Sequence, residues 1–334
     1  MTGAATITIR DVARRAAVSV ASASRALNNH TSVTAATRER VLDAARALDY
    51  VPHLGARSLS RGRSHTIGVV LPDLFGEFFS EIIRGIDYAA HRRGLQILLS
   101  NMHGSADQTE VAIRAMRGRV DGLLVMSPQI DAAILGRSLS HGPPAVVMNA
   151  AADGIHPTIA IDNLAGAREA VAHLIEQGCR RIAHIGGPRG NADADARRAG
   201  FEETMATSLG REAGIVIDGD FSEEAGIAAA QRILTEQPAI DGVFAANDMM
   251  AVACMATFAE AGVRAPDQVA IIGFDGVPIA QYVTPALSTM ALNLAELGER
   301  ALERLVALTE HEDAAPTTEM LTPQLVVRAS SRRV

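Results

Sequence analysis

The sequence predicts an α/β protein, in which a small helical unit at the N-terminus is followed by two similar lobes of parallel sheet and helix. Three observations lead to this prediction. Capping residues and apolar spacing indicate three short helices within residues 1–50. From Ile67 onward, short β-rich runs alternate with amphipathic stretches, as in parallel sheets covered by helices. These runs amount to about ten strands, which is more than a single sheet of this kind usually holds. The sequence therefore indicates two doubly wound lobes with a cleft between them.

The first two helices are predicted within residues 8–28, TIRDVARRAAVSVASASRALN. Thr8, followed by Asp11 three residues later, is typical of a helix start, and Ser19 can cap a second helix after a short link around Val18. Two short helices joined this closely form a helix-turn-helix, whose second helix can enter the major groove of DNA. An ordinary Ala/Ser-rich helical hairpin is the alternative that the same residues allow.

The second helix has side chains suited to a DNA groove. Val20 and Ala21 are short, and the hydroxyl groups of Ser22 and Ser24 can donate to phosphate. Arg25 projects among them, and its planar fork matches guanine O6 and N7. The residue types therefore favour DNA contact over burial in a core.

A third helix and a basic segment complete the N-terminal part. Thr34 can cap a helix that runs to about Asp49 and closes a small three-helix core. Pro52 then separates this helix from residues 53–63, HLGARSLSRGR, which are short, basic and able to form a helix. One interpretation is a hinge that lies on DNA and inserts Leu59 into the minor groove, and the other is a flexible basic linker.

The charge distribution separates the two parts of the chain. All 31 cationic residues are arginine, and the net charge is −7. Residues 1–63 contain 10 arginines against four acidic residues, whereas the remainder contains 21 arginines against 34 acidic residues. A basic N-terminal unit on an acidic body fits DNA contact restricted to one end.

Other sequence features argue against secretion, membrane insertion and catalysis. No signal peptide and no membrane-spanning run is found, and Cys179 and Cys254 match no metal or redox spacing, so we expect a cytoplasmic protein. Gly186–Asn191 follows a strand but lacks dinucleotide-binding spacing, a chain without lysine has no Walker A motif, and no nucleophile elbow is present. The ten histidines form no metal-ligand cluster. We therefore expect no catalytic residue, metal or cofactor.

The N-terminal motifs, with TRERVLDAARALDYVPHLGARSL after them, resemble the DNA-binding and hinge region of LacI-type transcriptional repressors. The later motifs AHIGGP, ARRAGF, VFAANDMMA and VAIIGFDG resemble the effector-binding core of the same family, in the family's order. This similarity runs from about Thr6 to Arg328 and favours the hinge interpretation of residues 53–63. It implies a headpiece at 1–50, a hinge helix at 51–63 and a periplasmic-binding-protein-like core at 64–334. The core would divide into one lobe of about 64–162 and 292–323, and another of about 163–291 and 324–334.

The resemblance also implies a homodimer that reads a pseudo-palindromic operator, with base contacts from Val20, Ala21 and Arg25. The residues that match or neighbour phosphate-contacting positions are Ser19, Ser22, Ser24, Asn28 and Thr34. The hinge residues assigned to DNA are Ala56, Arg57 and Leu59. His53 stands where the family usually has Asn, so the operator sequence cannot be copied from a relative.

For the core, the resemblance implies seven residues that contact a small effector between the lobes. They are Asp73, Phe78, Asn149, Arg197, Phe221, Asn247 and Asp275. Carboxylates, amides and an Arg fork can exchange hydrogen bonds with vicinal hydroxyls, while aromatic rings cover C–H faces. Other roles stay open: Asn247 and Asp248 can cap a helix, Phe221 can belong to the core, and Arg197 can be a surface charge.

The resemblance and these residues together predict a DNA-binding repressor of carbohydrate-utilisation genes, which binds to the nucleoid at its operator and responds to a mono- or disaccharide. The residues leave open whether the ligand releases DNA or promotes its binding, and the resemblance favours release, because sugar inducers are commoner in the family. Leu292 stands where the family often has Gln, which can alter how ligand closure reaches the hinge. The chain lacks the leucine-heptad tail of tetrameric relatives, which favours a dimer. The alternative function is a cytoplasmic solute or sugar receptor without an operator, against which the basic headpiece argues.

Overall fold

The computed structural model describes residues 7–28, 30–50, 63–102, 106–150, 154–209, 214–237, 239–310 and 316–332. The chain forms two compact units, one up to His65 and one from Thr66 onward. The predicted hinge residues Ala56, Arg57 and Leu59 lie outside the described residues.

The N-terminal unit is a three-helix bundle, with α1 at Ile9–Arg15, α2 at Val20–Leu27 and α3 at Ala35–Ala47. The backbone N–H and the hydroxyl of Thr8 both donate to Asp11 Oδ2, at 3.0 and 2.7 Å. The hydroxyl oxygens of Ser19 and Thr34 accept from the backbone N–H three residues later, at 3.1 and 3.3 Å. The three predicted helix starts are thus confirmed. Small apolar residues fill the core of this unit: Val12, Ala13, Ala16, Ala23, Ala26, Val41, Ala44 and Ala45.

The second unit contains two six-stranded sheets. The first is entirely parallel and has the order β11-β5-β4-β3-β1-β2. Its strands are β1 Thr66–Leu71, β2 Gln96–Asn101, β3 Gly122–Met126, β4 Ala145–Met148, β5 Thr158–Ile161 and β11 Thr318–Leu321. The helices of this lobe are α4 Glu77–Arg92, α5 Ala106–Met116, α6 Ala132–Leu139 and α11 Leu294–Glu310.

The second sheet has the order β12-β10-β9-β8-β6-β7, and only the β10–β12 pair is antiparallel. Its strands are β6 Ile182–Ile185, β7 Gly214–Ile217, β8 Gly242–Ala245, β9 Ala270–Asp275, β10 Ser288–Ala291 and β12 Gln324–Val326. Its helices are α7 Asn163–Glu176, α8 Ala192–Ser208, α9 Glu223–Glu236 and α10 Asp248–Glu260, with a 3-10 turn at Pro278–Gln281. The predicted α/β class with two parallel sheets is confirmed.

The backbone crosses between the lobes three times. It passes from β5 to α7 at Asp162, from β10 to α11 through residues 292–293, and from β11 to β12 through residues 322–323. The first and third crossings are joined, because the Asp162 N–H donates to the Leu321 carbonyl oxygen at 2.9 Å. In such sheets, the loops after the carboxyl ends of the strands form the crevice that binds ligands.

Two helices of the first lobe, α4 and α11, pack unusually closely. A Cβ atom on Gly85 would lie 1.8 Å from the carbonyl oxygen of Ala295, and one on Gly298 would lie 2.3 Å from that of Ile82. Only residues without a side chain allow the two backbones to approach this far.

The structure differs from the sequence prediction in the number of strands. The described residues contain twelve strands, rather than about ten. The strands whose position the sequence did not indicate are β5, β7, β10, β11 and β12, each of three or four residues. Runs this short carry too little periodicity to stand out from loops, and all of them except β7 also contain Thr, Ser, Glu or Gln. For His173 and His184 the sequence allows either a place on a helix or strand surface or a satisfied local contact. Both are buried, and each makes a hydrogen bond, His173 with Ser331 Oγ at 2.7 Å and His184 with the Phe244 carbonyl oxygen at 3.0 Å.

Candidate functional site

A cavity of about 600 Å³ lies between the two sheets of the second unit. Loops that follow strands of both sheets line it, together with the first residues of α4, α8 and α9. The seven side chains assigned to an effector all border this one cavity: Asp73, Phe78, Asn149, Arg197, Phe221, Asn247 and Asp275. The fold therefore brings together residues that are up to 202 positions apart in the sequence.

Arg197, on α8, is the central cation of the cavity and is only 3 % exposed. Its Nε donates to Asn163 Oδ1 at 2.7 Å, and its Nη1 donates to the Ala246 carbonyl oxygen. The same Nη1 lies 3.1 Å from Asp275 Oδ1, and the guanidinium carbon lies 3.7 Å from the centre of the Phe274 ring. The interpretation of Arg197 as a surface charge is therefore wrong.

Two buried carboxyl groups flank this guanidinium. Asp193 accepts hydrogen bonds from the amides of Asn149 and Asn163, at 2.6 and 2.8 Å. Asp275 pairs with Arg197 and has a φ of +105°, an unusual backbone conformation for a residue with a side chain. Burial raises the pKa of both carboxyl groups to about 6, although the Arg197 charge acts in the opposite direction. Both groups consequently change charge just below neutral pH.

Three hydrogen bonds among the described residues join the lobes across the cleft. The Asn149 side chain, at the end of β4, donates to Asp193 on α8. The Ala192 N–H donates to the Pro128 carbonyl oxygen at 3.0 Å, and the Ile279 N–H donates to Glu77 Oε2 at 2.8 Å. Polar groups on both sides of the cavity thus hold the lobes close together.

The neighbouring residues Asn247 and Asp248 make different contacts and have different roles. Asn247 caps α10 by accepting from the Met250 N–H at 2.9 Å, and its amide donates to the Phe221 carbonyl oxygen at the cavity wall. Asp248 is fully buried and is absent from the lining of the cavity. It accepts from the N–H groups of residues 276 and 277 at 2.8 and 2.9 Å, so it holds the loop that follows Asp275. Burial, and next the Asp275 charge, raise the pKa of Asp248 to about 8.

Phe221 combines the two roles that the sequence left open. Its φ is +73°, its ring borders the cavity, and it also packs against the second lobe's hydrophobic core. A Cβ atom on Gly187 would lie 2.5 Å from the ring, so glycine at that position makes room for it. Phe221 is therefore both a wall of the cavity and part of the core.

Sequence reasoning missed Asp193 and Asn163, which hold Arg197 in place. A signal for Asp193 was present, because residues 193 and 197 are one helical turn apart and share a helix face. Phe75 was also missed: its side chain is 75 % exposed and borders the cavity. No pattern in the sequence distinguishes it from an ordinary loop residue.

In the N-terminal unit, α2 exposes the face that was predicted to read DNA. Val20, Ala21 and Arg25 are exposed, whereas Ala23 and Ala26 point into the small core. The predicted phosphate-contacting residues lie around this face: Ser19 and Thr34 are exposed, and Ser22, Ser24 and Asn28 are half-buried. One side of α2 thus packs into the bundle, and the opposite side is exposed within the described N-terminal unit.

Comparison with known proteins identifies the family of the chain. Residues 8–53 match the family model of bacterial regulatory proteins of the lacI family, and residues 171–331 match that of a periplasmic binding protein-like domain. The HTH-type transcriptional repressor CytR of Escherichia coli (strain K12) is 34% identical over 97% of this chain and 96% of its own length. The chain belongs to the LacI family of bacterial transcriptional regulators. The ribose operon repressor of Halalkalibacterium halodurans is also similar to this LacI-family chain, at 33% identity over 97% of each.

Solved structures of the family share the whole architecture of this LacI-family regulator. The lac repressor dimer bound to operator and the anti-inducer ONPF has a TM-score of 0.88, with 26% identity over 98% of this chain and 100% of that one. The transcriptional regulator CelR, in complex with cellobiose, has a TM-score of 0.71, with 30% identity over 97% and 99%. The regulator's relatives are thus transcriptional repressors with a helix-turn-helix and a two-lobed core.

Metal-ion clusters and membrane-spanning helices are both absent from the described residues. Among the described residues, no three His, Cys, Asp or Glu side chains are grouped closely enough to hold a metal ion. In the same part of the chain, every helix is too short or too polar to cross a membrane.

Proposed function

We propose that this LacI-family regulator is a homodimeric repressor of carbohydrate-utilisation genes. Its headpieces bind a pseudo-palindromic operator, and a mono- or disaccharide in the cleft between the lobes releases them. The observation that carries this proposal is the convergence of seven polar and aromatic side chains on one cavity, in a chain whose α2 presents Arg25 outward. The cellobiose in the CelR complex and the name of the ribose operon repressor support a sugar as the effector.

The chemistry of the cavity fits a polyol. Ionised Asp193 and Asp275 accept hydrogen bonds from hydroxyl groups, and the amides of Asn149 and Asn247 both donate and accept. The rings of Phe78 and Phe221 border the same space and can cover the C–H faces of a sugar. None of these groups is arranged as a nucleophile with a base, so the proposed role is binding without catalysis.

The proposed switch is a change in the spacing of the lobes. A ligand hydroxyl that reaches Asp193 competes with the Asn149 amide, which joins the lobes in its absence. The effector then changes the cleft, and through residues 51–63 the change reaches the headpieces on DNA. Such a mechanism requires that the effector bind the two arrangements with different affinity. Operator binding places the protein in the cytoplasm, on the nucleoid.

The first experiment is a titration of purified protein with DNA from the region upstream of its own gene. Binding is measured at two salt concentrations, with and without a panel of mono- and disaccharides. We expect palindrome-dependent binding that weakens with salt and is abolished by one sugar. Binding of a sugar without any specific binding of DNA would contradict the repressor and favour a sugar receptor.

Arg25→Ala is expected to weaken operator binding by roughly 10- to 100-fold, because a bidentate contact to guanine contributes about 1–3 kcal/mol. The same change should relax the preference for the operator over unrelated DNA. Fluorescence anisotropy with operator and scrambled duplexes measures both effects. Arg46→Ala, which removes another exposed charge at the end of α3, is the control. Equal losses in the two variants would show that Arg25 contributes only charge.

Effector affinity is expected to fall as the pH drops through about 6, the value to which burial raises the pKa of Asp193 and Asp275. A carboxylate is a stronger acceptor for a hydroxyl group than a protonated carboxyl group is, so each carboxylate that must be ionised costs up to roughly tenfold in affinity per pH unit below its pKa. Folding responds in the opposite sense: both pKa values lie above the unfolded value of 3.8, so the stability penalty of ionisation disappears at acidic pH. Calorimetric titration across this range, with Asp193→Asn as the comparison, measures the effect. An affinity that is independent of pH would place the ligand away from both carboxylates.

A further inference from the structure

The lining of the effector cavity has a strong excess of negative charge. Seven carboxyl groups border the cavity, whereas Arg197 is the only cationic side chain among the described residues that line it. The carboxyl groups come from both lobes, with Asp73 and Glu77 on one side and the start of α9 on the other. A ligand in the cavity is therefore surrounded by carboxylates.

The single guanidinium does not offset this excess. Arg197 already lies 3.1 Å from Asp275 Oδ1 and donates to Asn163 and to the Ala246 carbonyl oxygen. Asp193, one helical turn away, adds a second carboxyl group to the same buried cluster. The floor of the cavity thus holds one cation between two acids, and it offers no unpaired positive charge to an anion.

Two of the carboxylates have no partner of their own. Asp220 accepts from Ser222, and Asp73 and Glu77 accept from backbone N–H groups. Glu223 and Glu224, the first residues of α9, make neither a hydrogen bond nor an ion pair within the described part of the chain. The helix dipole favours acidic side chains at the first turn of a helix. This effect explains why glutamates stand at the start of α9, but it does not explain why they border a ligand cavity.

We propose that the effector carries no negative charge, and that Glu223 and Glu224 make the cleft reject anionic relatives of the ligand. The cleft takes an uncharged polyhydroxylated compound, a sugar or a nucleoside, and excludes phosphate esters and sugar acids. This inference rests on the proposed function, because it assumes that the cavity is the effector site. Its basis is Coulomb repulsion in a partly enclosed site, where screening is weaker than in bulk water.

The test compares matched neutral and anionic probes by calorimetric titration at neutral pH and low salt. The pairs are ribose and ribose 5-phosphate, glucose and glucose 6-phosphate, galactose and galacturonate, and adenosine and its 5′-monophosphate. We expect at least one neutral compound to bind, and its anionic partner to bind at least roughly tenfold more weakly. An anionic compound that binds more tightly than its neutral partner would overturn the inference.

The double variant Glu223→Gln/Glu224→Gln separates charge from the size of the added group. It should reduce the discrimination against the anion, measured as the ratio of the two dissociation constants, by roughly three- to tenfold. The control is Glu169→Gln/Glu260→Gln, which removes two exposed charges that do not border the cavity. Equal discrimination in wild type and double variant would overturn the role of the two glutamates.

Operator binding, measured on the same samples, distinguishes failure of this inference from failure of the proposed function. An anionic compound that binds and releases the operator leaves the ligand-gated repressor intact and refutes only the exclusion of anions. If no neutral compound binds while the operator is still bound specifically, both the inference and the sugar effector fail, and the DNA-binding role remains.

Discussion

Arg197→Ala is expected to abolish the response to effector and to lower the free energy of unfolding by about 3–5 kcal/mol. The guanidinium is 3 % exposed and joins Asn163, Asp275 and the Ala246 carbonyl oxygen. Without it, two buried carboxyl groups lose the charge that favours their ionised form, and their pKa values rise further. The variant should therefore recover part of its stability at acidic pH, where both carboxyl groups are protonated.

Urea unfolding and effector-dependent release of the operator measure the two effects. Arg198→Ala is the matched control, because its neighbouring guanidinium is partly exposed and pairs with Glu202 and Asp218 outside the cluster. The double variant Arg197→Met/Asp275→Asn removes both charges of the pair and should regain stability without regaining the response. A normal effector response in Arg197→Ala would show that the effector binds elsewhere.

Gly85→Ala is expected to destabilise the core by about 3 kcal/mol or more. The added methyl group would lie 1.8 Å from the Ala295 carbonyl oxygen, and a backbone atom cannot rotate away as a flexible side chain can. The helices α4 and α11 would have to separate, which opens the core of the first lobe. This loss exceeds the gain of about 1 kcal/mol that alanine brings to a helix interior.

The measurement is the urea concentration at which half of the two-lobed core is unfolded. It is followed with a probe that reports on the lobes and not on the N-terminal helices. Gly186→Ala is the matched control, because the nearest atom to its added carbon is 3.7 Å away and its backbone needs no left-handed conformation. Gly85→Ala and Gly186→Ala variants that unfold at the same urea concentration would show that the two helices tolerate separation.

The alternation of apolar strands and amphipathic helices was sufficient to predict the fold class, and the capping residues Thr8, Ser19 and Thr34 located the three headpiece helices. Short polar strands such as Thr318–Leu321 were missed, because they become strands only by adding to a sheet edge already formed. Tertiary context, rather than local propensity, decides such segments.

The candidate site was predictable only through the ordered motifs of the family. Composition and spacing alone supplied no reason to group Asp73 with Asp275. The contacts that support the site could not be predicted, because they join residues that are far apart in the sequence. Glu77 and Ile279 are 202 residues apart, and Asp248 accepts a hydrogen bond from a loop 28 residues later. The first pair depends on how the two lobes face each other, and the second on β8 and β9 being neighbours in one sheet, neither of which is encoded locally in the sequence.

The three backbone crossings also determine how late in synthesis the cleft between the lobes can form. The first sheet receives its last strand from Thr318–Leu321, and the second receives its last strand from Gln324–Val326. The first lobe cannot be completed before the ribosome has passed residue 321, nor the second before it has passed residue 326, and until then β5 and β10 each lack one neighbouring strand. The three headpiece helices, by contrast, need only the first 50 residues. A nascent chain therefore contains its helix-turn-helix long before it contains a complete cleft.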